Sequence, residues 1–302
     1  MRIGIFGGAA NDGTLDAMIN EARRAEADGF ASFWVPQIFG HDALTALAVM
    51  GREVPRIELG TSVVPTYPRH PMMMAQQALT VNAATGGRLC LGIGLSHQVV
   101  VEGMWGMSFA KPVRHMREYL EVMMPLLEGR PVSHAGEEYR VNGAVAVPGG
   151  TRPNVVIAAL GEQMLKVTAR LADGTLTWCT GPQTLADHTI PTLRDAAEAA
   201  GRDATRVIAA LPVCVTEDRA AAHERAAKVF VVYGQLPSYR AMLDKEGVGG
   251  PADIAIVGSR SEVIDRISAL AEIGVSDFAA VEFGGNPDEV AETRDAVKSL
   301  VN

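Results

Sequence analysis

The chain has 302 residues, of which 48% are hydrophobic and 21% are charged, and its formal net charge at pH 7 is −8. This length and apolar content allow a large buried core, whereas an acidic chain without a basic tract is poorly suited to bind nucleic acid. No apolar run reaches the length of a membrane span, and the N-terminal residues MRIGIFGGAANDG do not have the form of a signal peptide. No membrane or nucleic-acid partner is therefore expected.

The three cysteines, Cys90, Cys179 and Cys214, lie far apart in apolar segments. An odd number at these spacings favours small core side chains over a disulfide framework or a zinc site. Reduced cysteines of this kind indicate a cytoplasmic protein, and no metal site is expected.

Short β-rich runs alternate with longer amphipathic runs along the chain. The apolar runs predict strands at residues 2–7, 30–35, 56–64, 88–95, 154–160, 174–180, 206–215 and 277–283. Helical spacing predicts helices at residues 14–28, 42–52, 71–84, 113–127, 162–172, 182–200, 259–273 and 287–300. The segment SRSE at the start of the seventh helix, with Ser259 and Glu262, has the pattern of a capping box.

This order predicts an α/β protein, a (β/α)8 TIM barrel with insertions. Eight strand–helix units over this chain length are typical of that barrel, and the strands are continuously apolar, as in a parallel sheet covered by helices. The alternative is an open doubly wound sheet, but the segment GIGLSH at 92–97 lacks the third glycine of the dinucleotide fingerprint. Residues 1–302 are expected to form one domain, with a turn-rich insertion near 128–153 and an irregular helical insertion near 218–250.

The loops that follow the strands are the expected place for a ligand, because barrel enzymes bind at the C-terminal ends of their strands. These loops include residues 7–10, 36–42, 62–70, 94–98, 160–163 and 180–183. They combine apolar surface with three of the seven histidines. This composition suits a flat, partly apolar ligand with a polar tail.

Two of these loops carry candidate polar sites. Leu160-Gly161-Glu162 opens a helix directly after a strand, where bare N–H groups suit a phosphate, and Thr180-Gly181 would add a hydroxyl and an amide. On these residues alone an ordinary turn is favoured, since glycine is common there. His97 has the side chain of an acid, a base or a hydrogen-bond donor at neutral pH, although a structural loop histidine is the simpler interpretation.

Several segments, taken in order, resemble the luciferase-like monooxygenase superfamily. They are GTSVV, the helix start RHP, GGRLCLGIGLSH, REYLEVMMPLL, DGTLTWCTG and AIVGSRSEVIDRISALAEIGVSDF. Within the superfamily the chain looks most similar to the branch that uses the deazaflavin coenzyme F420. The resemblance covers nearly the whole chain and implies a (β/α)8 barrel with insertions and a homodimer.

The resemblance also implies a cofactor site. A non-proline cis peptide is expected at the end of the third strand, between Ser62 and Val63, where the resulting bulge would support the central ring of the cofactor. The phosphate tail is expected at the start of the helix after the fifth strand. The cofactor-binding residues implied in this way are Gln37, Ser62, Val63, Gly94, His97, Leu160, Gly161, Glu162, Gln163, Thr180 and Gly181.

One segment departs from the family pattern. Related F420-dependent dehydrogenases tend to carry an acidic residue and then a histidine where this chain has Gln37-Ile38, and a catalytic glutamate of some of them falls near His97. The acid–base machinery for sugar-phosphate or alcohol dehydrogenation is therefore not expected to carry over. His97 is the catalytic candidate that this comparison leaves.

The leading hypothesis is an F420-dependent oxidoreductase that transfers a hydride between C5 of the deazaflavin and a small organic substrate. One alternative is an FMN-dependent monooxygenase of the same superfamily. Another is a non-catalytic protein that binds a flavin or deazaflavin.

Overall fold

A computed structural model describes residues 1–8 and 13–301. Eight parallel strands close into a barrel, because the eighth strand pairs with both the seventh and the first. They are β1 (Arg2–Phe6), β2 (Ser32–Val35), β3 (Glu58–Thr61), β4 (Leu89–Gly94), β5 (Asn154–Ile157), β6 (Gly174–Trp178), β7 (Arg206–Val215) and β8 (Asp277–Glu282). The predicted (β/α)8 barrel is confirmed.

Helices connect the strands and cover the outside of the barrel. They are α1 (Leu15–Ala27), α2 (Ala43–Glu53), α3 (Pro71–Ala84), α4 (Gln98–Gly103), α5 (Pro112–Leu127), α6 (Glu162–Leu171), α7 (Pro182–Thr184), α8 (Ile190–Ala199), α9 (Arg219–Val229), α10 (Val231–Gln235), α11 (Pro237–Glu246), α12 (Arg260–Glu272) and α13 (Pro287–Lys298). A single π-helical segment, Leu185–Thr189, joins α7 to α8. Within the described residues, no helix has both the length and the apolar character needed to cross a membrane.

The barrel strands are buried on both faces, which explains their apolar sequence. Every residue of β2 and of β4 is buried, because one face packs inside the barrel and the other packs under the helices. The interior cluster consists of Trp34, Cys90, Val156, Leu176, Ile208, Ala210 and Ala279. The three cysteines are buried and free.

A cluster of charged side chains lies at the N-terminal end of the barrel, at the first residues of three strands. The guanidinium of Arg206 donates to Asp277 at 2.6 Å and to Glu58 at 2.7 Å. Burial alone would lower the pKa of Arg206, but these bonds outweigh it and raise the pKa. The cluster packs across that end of the barrel, and a ligand-binding site is expected at the opposite, C-terminal end of the strands.

The chain leaves the β/α alternation in two places. Between α5 and β5 it forms an antiparallel hairpin of Val132–Ala135 and Arg140–Gly143. After β7 it forms α9, α10 and α11, and residues 218–250, which contain them, are called here the second insertion. The short strand Ile256–Gly258 then pairs with β7, a strand that the sequence analysis did not predict.

Local details both support and correct the sequence analysis. The predicted capping box is confirmed, since the Ser259 side chain accepts the N–H of Glu262 and the Glu262 carboxylate accepts the N–H of Ser259 at 2.9 Å. The third strand is shorter than the predicted residues 56–64. It ends at Thr61, and pairing resumes in Val64–Pro65, which lies beside β4.

Candidate functional site

A bulge at the end of β3 brings Val63 across the neighbouring strand β4. The peptide bond between Ser62 and Val63 is cis, as the sequence analysis expected. A Cβ atom at Gly94 would lie 2.7 Å from Cγ2 of Val63, and a Cβ atom at Gly92 would lie 3.1 Å from its Cγ1. The two glycines of β4 therefore leave the space that the Val63 side chain occupies.

Three partly buried apolar side chains cover the interior of the barrel at its C-terminal end. Phe6, Val63 and Trp178 all pack on the interior cluster. Phe6 is the last residue of β1 and Trp178 the last of β6, and their ring centroids lie 6.4 Å apart. These three residues, called here the floor, present an apolar surface of the kind on which a flat ring packs.

The second insertion supplies an aromatic wall beside the floor. The ring of Tyr233 meets Trp178 edge-on at 5.5 Å, and Tyr239 meets Tyr233 edge-on at 5.2 Å. The imidazole of His97, which follows β4, lies 5.7 Å from the ring of Tyr239. His97, Tyr233 and Tyr239, called here the wall, thus join the second insertion to the loop after β4.

The wall is uncharged at neutral pH. Burial lowers the pKa of His97, which favours the neutral imidazole. Burial raises the pKa of Tyr233 and of Tyr239, which keeps both phenols protonated. His97 is the N-cap residue of α4, yet its side chain makes no capping hydrogen bond. The wall can therefore exchange hydrogen bonds with a ligand but offers it no charge.

Strained backbone lies at the same end of the barrel. Among residues 1–8 and 13–301, the non-glycine residues in the left-handed region are Ser96, with φ of 61°, and Cys179, with φ of 51°. Ser96 follows β4 and Cys179 directly follows β6. Because such conformations are costly and cluster at functional sites, they support the C-terminal mouth as the site.

The N-terminus of α6 is open. Gly161 is its N-cap residue, no side chain caps the first N–H groups, and nothing lies within 4 Å of a Cβ placed at Gly161. Glu162 is exposed and pairs with Lys166 on the next turn. The Nε2–H of His188 donates to the carbonyl of Leu160 at 3.0 Å. Bare N–H groups and the helix dipole make this end suitable for an anion.

The second position predicted for the phosphate tail, Thr180-Gly181, is already occupied by a side chain of the same chain. Glu246, the last residue of α11, accepts hydrogen bonds from the N–H of Gln183 at 3.1 Å and from the N–H and Oγ1 of Thr184 at 2.7 and 2.6 Å. A Cβ atom at Gly181 would lie 2.2 Å from the carboxyl carbon of Glu246. Thr180 is buried, and its Oγ1 donates to the carbonyl of Trp178 at 3.4 Å. The start of α7 is thus occupied from within the chain.

Gln37 also has an internal partner. Its Oε1 accepts the N–H of Ala43, at the start of α2, at 2.7 Å. The next loop is tied to the same place, because Arg69 donates to Asp42 at 2.6 Å. Gln37 therefore holds the start of α2, and its oxygen is engaged there.

The predicted residues fall into three groups in the structure. Val63 lies in the floor and His97 in the wall, and Ser62 and Gly94 are next to Val63. The open end of α6 contains Leu160, Gly161, Glu162 and Gln163. The remaining three, Gln37, Thr180 and Gly181, are in contact with other parts of the chain. Ala9 and Ala10, expected in the mouth, lie outside the described residues. No group of three or more metal-ligating side chains occurs within the part of the chain that is described.

Sequence reasoning missed five residues that shape the mouth. They are Phe6, Trp178, Tyr233, Tyr239 and Glu246. Phe6 and Trp178 lie within two residues of the C-terminal ends of the predicted strands 2–7 and 174–180, so the last aromatic residue of each strand was a usable signal. The other three lie in the second insertion, whose sequence has no regular period.

The family model for the luciferase-like monooxygenases matches residues 1–298. The chain belongs to this family. A Mycobacterium tuberculosis protein, provisionally named a coenzyme F420-dependent oxidoreductase, is 30% identical over 286 residues, covering 89% of this chain and 80% of the relative. The predicted family and its resemblance to the F420-dependent branch are confirmed, and so is the expected class of oxidoreductase.

Solved structures of luciferase-like proteins share the fold. The coenzyme F420-dependent tetrahydromethanopterin reductase of Methanopyrus kandleri has a TM-score of 0.82 at 22% identity, covering 100% of this chain and 97% of that one. A type II Baeyer–Villiger monooxygenase from Pseudomonas putida, in complex with FMN, has a TM-score of 0.78 at 16% identity, covering 100% and 97%. The same barrel thus occurs in an F420-dependent reductase and in a monooxygenase bound to FMN.

Proposed function

We propose that this luciferase-like protein is an F420-dependent oxidoreductase that transfers a hydride between the deazaflavin and a small organic substrate. The observation that carries the proposal is the pairing of an apolar floor with the open N-terminus of α6 at the same end of the barrel. F420 has a flat tricyclic ring and an anionic phosphate tail, and these two surfaces match those two parts. The F420-dependent relative adds support.

The floor fits the ring. Val63 is held across β4 because Gly94 carries no Cβ atom, and Phe6 and Trp178 lie beside it on the interior cluster. A flat ring on these side chains would be supported by well-packed groups. The wall would close one edge and exclude water from it.

The open end of α6 fits the tail. A phosphate oxygen placed there would accept the N–H groups that no side chain caps, starting beside Gly161. The start of α7 does not fit a second anionic group, because the carboxylate of Glu246 already accepts its N–H groups. The tail would therefore depend on residues 160–163 alone.

The residues of the chain bind, orient and shield, and the coenzyme supplies the hydride chemistry when it is bound. The neutral imidazole of His97 lies in the wall, where it can donate or accept one hydrogen bond at the substrate. Gln37 holds the start of α2 rather than acting as an acid or base.

The test is a titration of the purified full-length protein with F420 and, in parallel, with FMN, followed by fluorescence and calorimetry. We expect F420 to bind at micromolar affinity or better. Val63→Asp should abolish this binding by placing a charge in the floor, whereas Val49→Asp, on α2 where Val49 is 41% exposed, should not. Thermal unfolding of both variants checks that they are folded.

Tight binding of FMN without F420 would overturn the proposal and point to oxygen chemistry, which an oxygen-uptake assay measures. Binding of neither coenzyme would remove the basis for any catalytic role of the mouth.

A further inference from the structure

We infer that Tyr239 is the hydrogen-bond donor that binds the substrate, and that the substrate is a neutral, largely apolar molecule with a carbonyl or hydroxyl oxygen. This inference rests on the proposed function and specifies the substrate side of the same mouth. It places substrate recognition on the second insertion rather than on a barrel loop.

The hydroxyl of Tyr239 is available to a ligand. Its ring is partly buried between Tyr233, met edge-on at 84°, and His97, so the side chain is held in place. Its hydroxyl makes no hydrogen bond to any described residue, and its oxygen does not belong to the fully buried polar atoms of the described chain that lack a partner. The hydroxyl of Tyr119, by contrast, is sealed in the core. Tyr239 therefore holds an unused donor in the wall.

The chemical character of this donor restricts the ligand. A protonated phenol donates a hydrogen bond to a carbonyl or hydroxyl oxygen without neutralising a charge. His97 is neutral as well, because burial lowers its pKa. A carboxylate or phosphate brought against the wall would lose its water without gaining a cation, which is costly.

The entrance to the mouth is apolar. Ile38 and Phe39, in the loop after β2, are 47% and 63% exposed, and Val99 and Met104, after β4, are 66% and 61% exposed. Large apolar side chains with this exposure, two in the loop after β2 and two in and directly after α4, mark a binding surface for an apolar partner or ligand. These four side chains, called here the apolar entrance, add apolar surface at the C-terminal end of the barrel.

Arg69, the cationic residue of the loop after β3, is already paired with Asp42. None of the residues of the floor, the wall or this apolar entrance is a lysine or an arginine. A substrate that relies on a charged group would have no partner among them, which supports a neutral substrate.

The test measures the affinity of the protein for three probes of similar shape, acetophenone, ethylbenzene and benzoate. The protein is first loaded with whichever coenzyme it binds. We expect acetophenone to bind at least tenfold more tightly than benzoate. Tyr239→Phe should weaken acetophenone about tenfold, the effect of one lost hydrogen bond, and leave ethylbenzene unchanged. The matched control is Tyr119→Phe, since Tyr119 lies in α5 and its hydroxyl is buried in the core, and it should change none of the three affinities.

The outcomes separate the inference from the proposed function. If F420 binds and Tyr239→Phe leaves acetophenone unaffected, the inference is overturned and the proposed function stands. An equal loss for ethylbenzene would make Tyr239 a packing residue, and tighter binding of benzoate would refute the substrate class. If neither F420 nor FMN binds, the proposed function fails and the inference falls with it.

Discussion

Glu246→Ala tests whether one carboxylate holds the second insertion on the barrel. Glu246 ends α11 and accepts hydrogen bonds from Thr184 and Gln183 at the start of α7. Tyr233 and Tyr239 belong to the same insertion and form most of the wall. Removal of the carboxylate should therefore loosen the wall as well as lower stability.

The magnitude follows from which donors lose their acceptor. Thr184 is 1% exposed, so its N–H would be left buried without a partner, which costs about 1–3 kcal/mol. Its hydroxyl keeps a second acceptor, the carbonyl of Met242 at 3.3 Å. The N–H of Gln183 is at an exposed residue and can turn to water. The expected loss in the free energy of unfolding is therefore about 1–3 kcal/mol, from one buried donor.

Denaturant unfolding measures this loss, and amide hydrogen exchange shows where it falls. We expect faster exchange in residues 231–246 and little change in the barrel strands. Glu224→Ala is the control, because Glu224 lies on α9 of the same insertion and pairs with the exposed Lys228; it should change neither measurement. A Glu246→Ala protein with wild-type stability and wild-type exchange in α11 would refute the reasoning.

Three further predictions concern the mouth and its surroundings. Gly161→Asp puts a carboxylate on the open N–H groups of α6; we expect coenzyme affinity to fall at least tenfold while the helix keeps its stability, as titration and thermal unfolding will show. Gly94→Ala crowds Cγ2 of the stiff Val63, which should cost about 1–3 kcal/mol in denaturant unfolding and weaken coenzyme binding. Glu282→Gln should stabilise the protein by more at pH 8 than at pH 5, as unfolding midpoints at the two values will show. Burial raises the pKa of Glu282 to about 7. The protonated carboxyl of the wild-type protein therefore contributes stability that is fully present below the pKa of the unfolded state and is lost as the pH rises through 7.

Each of these has a matched comparison. Gly161→Ala adds a methyl group without an anion at an open position, and equal losses for the alanine and aspartate variants would contradict an anion site. Gly103→Ala, in α4, meets nothing within 4 Å, and an equal loss there would contradict the crowding of Val63. A gain for Glu282→Gln of the same size at pH 5 and pH 8 would contradict the raised pKa of Glu282.

The barrel could be predicted from the sequence because its strands are buried on both faces. Strands such as β2 and β4 then appear as unbroken apolar runs, and eight of them with intervening helices leave few other folds. The helix α4 was missed because its six residues, QVVVEG, are too few to show a helical period. The three-residue strand at Ile256–Gly258 was missed because it is short and pairs at the edge of β7.

The site could be predicted only in part. Val63 and Gly161 lie in loops that follow barrel strands, so chain order places them at the mouth. The partners of Gln37 and Gly181 could not be predicted, because the first is set by local helix capping and the second by Glu246, 65 residues further along the chain (246 − 181). Contacts at such separations depend on how the second insertion packs, and its sequence pattern does not specify that packing.

The internal use of Gln37 and of the start of α7 has a consequence for how this protein selects ligands. A polar group already engaged within the chain gains little from a ligand, because an existing hydrogen bond must be broken first. Of the predicted site, Val63 in the floor, the open end of α6 and His97 keep unengaged surface, and Tyr239 joins them from the second insertion. Under the proposed function, the floor would hold a ring and the open end of α6 a phosphate, which many coenzymes share. We therefore expect discrimination between substrates to arise in the wall, and substitutions in the second insertion to change the substrate without changing the coenzyme.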